Sequence, residues 1–145
     1  MKVTLEELPA YAKRFVEDLP KELGTKAYVV GLLGELGAGK TAFVQEVAKL
    51  LSIARSVTSP TFVIAQIYTI NHQAFERLVH IDAYRLDSGE SDTIGWKDFL
   101  NDPKNLIFVE WADRAPGGIP TGTHILDFTV VGENVRNIEE KYESR

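Results

Sequence analysis

The string Gly34-Glu35-Leu36-Gly37-Ala38-Gly39-Lys40-Thr41 constrains this chain more than any other. It fits the pattern G-x-x-x-x-G-K-[ST], whose glycines allow backbone conformations that turn successive N–H groups inward, towards phosphate oxygens. Average glycine usage puts a chance match in a chain this long at about one in a few hundred. The flanks fit as well. Residues 28–33 (Y-V-V-G-L-L) form a short apolar run of the kind that becomes a buried strand. Residues 39–51 then take up helical period, with Val44, Val47, Ala48 and Leu51 on the inner side. A helix beginning there adds its positive N-terminal end to the loop. Lys40 is a mobile positive charge for the outer phosphates, and the Thr41 hydroxyl is a magnesium ligand. Glu35, Leu36, Gly37, Ala38, Gly39, Lys40 and Thr41 are therefore expected to bind a nucleotide triphosphate, ATP with magnesium.

The rest of the chain reads as one α/β domain over residues 1–145. Residues 4–19 suggest an amphipathic helix with Thr4 and Glu7 as a capping box, Val3 and Leu8 as a hydrophobic staple, and Leu5, Leu8, Ala12, Phe15, Val16 and Leu19 on one face. Residues 62–69 alternate like a strand, 78–82 (L-V-H-I-D) and 106–110 (L-I-F-V-E) are apolar runs ending in an acid, and 91–100 are read as a helix. Residues 124–131 alternate like an antiparallel edge strand, and the charged residues 137–145 are expected to fray. Interleaved strands and helices predict a P-loop NTPase-like fold of three layers, with a central mixed, mainly parallel sheet flanked by helices.

Bulk properties narrow the function. The chain has 145 residues, 44% of them hydrophobic, and a formal net charge of −5. That balance argues against a protein gripping nucleic acid by its own charge, since phosphate contacts need clustered Lys and Arg. The absence of cysteine excludes disulfides, thiol catalysis and cysteine-held metals. His72, His80 and His124 have no metal-ligand spacing. No apolar run is long enough to span a membrane, and the first residues carry acids where a signal peptide would be apolar. A cytoplasmic protein with no membrane association is expected.

A site of this type needs a carboxylate at the C-terminal end of a neighbouring strand, to hold magnesium or its water. Asp82 and Glu110 both have that placement, on the sheet edge where ligands bind in open α/β folds. Spacing does not decide between them. The cleaner apolar run before Glu110 favours it as the ligand, with Asp82 orienting the attacking water. No N-K-x-D string marks a guanine-specific GTPase, no L-S-G-G-Q-like string marks a transporter ATPase, and the scattered arginines make no kinase-like lid. An ATPase or a small-molecule kinase remains, with a nucleotide-gated binding module as a third class.

Three further segments narrow this: Ser59-Pro60-Thr61-Phe62, His80-Ile81-Asp82-Ala83-Tyr84-Arg85-Leu86 and Glu110-Trp111. With the glycine-rich loop, in this order and spacing, they resemble the TsaE family, bacterial ATPases of tRNA threonylcarbamoyladenosine synthesis. The resemblance runs from the N-terminal helix to Arg136. It implies that Thr61 senses the γ-phosphate or stands on the magnesium side, that Asp82 supports hydrolysis, that Glu110 serves magnesium with Trp111 beside the site, and that Arg136 contacts the nucleotide. It also implies TsaD and TsaB homologues as partners, with tRNA met only through that complex. Glu35 stands where the family usually has Asp, Ala83 where a larger apolar residue is usual, and Gln45 where a basic residue often follows the loop helix.

Overall fold

The computed structural model describes residues 1–52, 65–83, 95–114 and 119–143. Ser59, Pro60, Thr61, Phe62, Tyr84, Arg85 and Leu86 lie outside them. Within them the order is β1 (Lys2–Thr4), α1 (Leu8–Glu17), β2 (Tyr28–Leu33), α2 (Lys40–Leu50), β3 (Ala65–Thr69), β4 (Arg77–Asp82), α3 (Trp96–Asn101), β5 (Asn105–Glu110), a 3-10 turn (Ala112–Arg114), β6 (His124–Gly132) and β7 (Val135–Tyr142).

The seven strands form one sheet in the order β1-β7-β6-β2-β5-β4-β3. The four central strands, β6, β2, β5 and β4, run parallel, and antiparallel partners close both sides. The mainly parallel sheet expected from the sequence is therefore present. The continuous apolar runs have their cause here. β5 sends Leu106 and Phe108 to one face and Ile107 and Val109 to the other, and all four are buried. On the first face α1 and α2 pack around Phe43, whose ring meets those of Tyr11, Phe15, Phe108 and Phe128 at centroid distances of 5.9, 5.2, 6.2 and 5.9 Å. On the second face Trp96 of α3 and Ala112 cover Val29, Val79 and Ile81.

Three expectations are corrected. The N-terminal helix begins at Leu8 rather than residue 4, and Lys2–Thr4 pair with β7. The capping-box bonds nevertheless form: Thr4 N–H donates to Glu7 Oε1 at 2.9 Å, and Glu7 N–H to Thr4 Oγ1 at 3.2 Å. Leu5 N–H is drawn instead to the Asn134 carbonyl at 3.0 Å, which leaves the Leu5 side chain exposed, and Tyr11 joins the inner face. The second correction concerns 124–131, which is no edge strand, because β6 lies between β2 and β7. Third, residues 137–142 do not fray. They belong to β7, whose Ile138 is buried while Glu139 and Lys141 stay in solvent. Among the described residues no helix is long and apolar enough to cross a membrane.

Candidate nucleotide site

The glycine-rich loop leaves the end of β2, the strand flanked by β5 and β6. Gly34 has φ +137°, and a Cβ built on it would meet the Phe128 carbonyl oxygen at 2.6 Å, so β6 holds the loop too closely for any side chain. Gly39, at φ +107°, stands at the N-cap of α2, where its left-handed turn swings the chain into the helix.

Lys40, the first helical residue, is 4% exposed. Its ammonium folds back on the loop, donating to the carbonyls of Gly34 and of Glu35, the latter at 3.3 Å. It also lies 4.0 Å from the centre of the Trp111 ring, a cation–π contact. Burial pushes the Lys40 amine below the ordinary lysine value, while the charges of Glu110, Asp113 and Asp82 pull it back up. Trp111 takes a positive φ of +60°, and its N–H donates to the Leu32 carbonyl at 3.0 Å. The chain thus stays attached to β2 one residue past β5 and turns the indole towards the lysine.

The two strand-end acids meet beside the loop. Asp82 and Glu110 are register partners across β4 and β5, and Leu32 of β2 is level with Glu110. Glu110 is 5% exposed, and the Thr41 hydroxyl donates its one hydrogen between the two carboxylate oxygens, with Oγ1 3.2 Å from Oε1 and 3.0 Å from Oε2. Its Oε2 also lies 2.5 Å from Nε2 of the buried His80. A cleft of about 280 Å³ opens above, with Lys40, Thr41, Asp82 and Glu110 on its floor and Leu36 and Trp111 on its walls. Hydroxyl and carboxylate oxygens are the hard donors that suit magnesium, so Thr41, Glu110 and Asp82 fit that ion.

Arg136 reaches the loop from β7. Its guanidinium donates to the carbonyls of Ala38 at 3.2 Å and Gly37 at 3.3 Å, and on its other side to Gly132 at 3.0 Å. It grips the loop by its carbonyls, at the edge of a shallow groove lined by Val3, Leu8, Phe128 and Ile138. Of the expected site residues, the loop, Lys40, Thr41, Asp82, Glu110, Trp111 and Arg136 come together, and Thr61 lies outside the described residues. Two contributors escaped the sequence reading, His80 and Phe128. Strand alternation carried a signal for His80, since an H-x-D string on β4 puts His80 and Asp82 on one face.

A family model for the threonylcarbamoyl adenosine biosynthesis protein TsaE matches residues 4–139. The chain belongs to the TsaE family. A TsaE relative, the tRNA threonylcarbamoyladenosine biosynthesis protein of Haemophilus influenzae, is 32% identical over 130 residues, covering 89% of this chain and 79% of the relative. The TsaE protein of Bacillus subtilis is 32% identical over 136 residues, covering 94% and 80%. The crystal structure of YdiB from Bacillus subtilis superimposes with a TM-score of 0.66 at 27% identity, over 95% of this chain and 82% of YdiB. The TsaE match spans the loop, both strand-end acids and Arg136.

Proposed function

We propose that this chain is a magnesium-dependent ATPase that supports threonylcarbamoyl modification of the tRNA adenosine next to the anticodon, by driving turnover of a TsaB–TsaD complex. Membership of a family named for threonylcarbamoyl adenosine biosynthesis supports the pathway. The single observation that supports the chemistry is the hydroxyl of Thr41 set between the two oxygens of Glu110 beside the buried Lys40.

In this reading the loop N–H groups and the N-terminal end of α2 bind the β- and γ-phosphates. Lys40 leaves the carbonyls of Gly34 and Glu35 for the phosphate oxygens, where it stabilises charge on the transferring phosphoryl group. Thr41 and Glu110 would hold the magnesium ion, which would supply neutralisation of the phosphate charge. Asp82, level with Glu110, orients the water that attacks the γ-phosphorus, and ADP leaves. Trp111 walls the cleft and keeps the lysine in reach. Arg136 steadies the loop. Thr61 joins the γ-phosphate side on the family resemblance alone. The acidic chain leaves tRNA to its partners.

The test is ATP hydrolysis measured alone and with TsaB, TsaD and tRNA. Slow turnover that rises in the full mixture is expected. Phosphate appearing on a metabolite instead of in solution would replace this reading with a kinase. Unchanged turnover on adding the partners would remove them from it.

A further inference from the structure

His80 sits in the middle of β4 with no exposed surface, between Val79 and Ile81. Its two ring nitrogens have opposite surroundings. Nε2 lies 2.5 Å from Oε2 of Glu110, a separation that requires a hydrogen between them, so Nε2–H donates to the carboxylate. Nδ1 is buried and has no hydrogen-bond partner among the described residues. An unmet buried polar atom costs stability, and nothing about this position asks for a polar group, since Leu78, Val79 and Ile81 around it are apolar and equally buried. What the imidazole adds over a leucine is its grip on one oxygen of Glu110.

We propose that His80 is a positioning residue for Glu110. It anchors Oε2 from below, while Thr41 approaches the same carboxylate from the cleft side. The carboxylate plane is thereby fixed, and Glu110 would present it to a divalent cation beside Thr41 and Asp82, which stands two residues beyond His80 on the same strand face. Outer partners that orient ligating groups in this way are common around protein-bound metals, and losing one weakens metal affinity. The inference rests on the magnesium-nucleotide reading given above.

The test is calorimetric binding of ADP, which is not hydrolysed, with and without magnesium, to the wild type, His80→Leu and His80→Gln. In His80→Leu the magnesium-dependent gain in affinity falls by about 10–100-fold, while magnesium-free binding stays close to wild type. In His80→Gln an amide N–H at the same reach restores most of that gain. A leucine variant that keeps the full magnesium effect overturns the role of His80, as does a glutamine variant that loses as much as leucine. If His80→Leu does not fold, His80→Asn takes its place, since its shorter amide cannot reach Glu110. Asparagine is then expected to lose the magnesium effect where glutamine keeps it, and equal behaviour overturns the proposal. A wild type with no magnesium-dependent ADP binding overturns the nucleotide reading and this inference with it. A wild-type magnesium effect left intact in His80→Leu overturns this inference alone.

Discussion

Asp82 and Glu110 stand level on neighbouring parallel strands, and Glu110 is the one joined to the Thr41 hydroxyl. Two acids with the same sequence signature thus hold different positions relative to the loop. Glu110→Ala removes a group at the expected ion, whereas Asp82→Ala removes one at the expected water. In a magnesium titration of nucleotide binding, Glu110→Ala is expected to lose about tenfold or more in affinity, and Asp82→Ala less. Asp82→Ala should show its main loss in hydrolysis. The reverse order in the titration would exchange the two roles.

The loop glycines differ in what a methyl group would cost. At Gly34 the added carbon meets the Phe128 carbonyl at 2.6 Å in a backbone with φ +137°, so Gly34→Ala must displace β6 or the loop. At Gly37, with φ +81°, nothing among the described residues lies within 4 Å, and only the backbone preference is violated. Denaturant unfolding should therefore show a loss of about 1–2 kcal/mol for Gly37→Ala and a clearly larger one for Gly34→Ala. Equal losses would mean that β6 yields freely.

Lys40→Met should abolish nucleotide binding in calorimetry while leaving the fold intact. It also gives a pH test. Because burial holds the Lys40 amine below the ordinary 10.5, the folded protein sheds that proton before the unfolded chain does. The buried charge is a cost below the folded value, and the cost disappears as pH rises towards 10.5. The wild type is thus expected to gain stability relative to Lys40→Met across that interval. A constant difference would contradict the buried-charge account.

Arg136→Ala releases the carbonyls of Gly37 and Ala38. Nucleotide affinity should fall by about tenfold, the worth of roughly one hydrogen bond by a charged donor. Arg136→Lys should not rescue it, because a single ammonium cannot span the loop and the Gly132 carbonyl in one fork. Full rescue by lysine would reduce the role to charge.

A polar chain at the other end of the sheet should be separable from the site. Tyr11 O–H donates to Glu140 Oε2 at 2.7 Å, Glu140 Oε1 lies 2.6 Å from His124 Nε2, and His124 Nδ1 lies 3.0 Å from the Tyr28 hydroxyl. Tyr11→Phe should cost about 1–2 kcal/mol and leave ADP affinity unchanged. Burial, then the bond to Glu140, raises the Tyr11 phenol well above its ordinary 10.0. The stability it contributes is full below that pH and is lost above it, as the unfolded chain ionises first. Unfolding of wild type and Tyr11→Phe should converge in alkali.

The centre of the molecule was legible because β2, β4 and β5 are buried on both faces and are written as mostly apolar runs, the last two ending at the acids. The periphery was not. The Leu5–Asn134 bond, which moves the start of α1 to Leu8, joins residues far apart in sequence and leaves no local pattern. The charges of β7 read as a frayed tail because one of its faces is solvated, and only its pairing with β6 shows why Ile138 is buried. Within the site, motif spacing supplied Lys40, Thr41 and the two acids. The hold of His80 on Glu110 depends on register between two strands, which no single string encodes.

The position of β2 has a consequence for the chain as it is synthesised. Both neighbours of β2 come from much later in the sequence, and the loop it carries is backed by Phe128 and gripped by Arg136. Domains form as units once their parts have been made. A nascent chain that has already displayed the whole glycine-rich string therefore has no finished cleft beside it until β7 emerges. Only then can ligand binding begin to stabilise the fold.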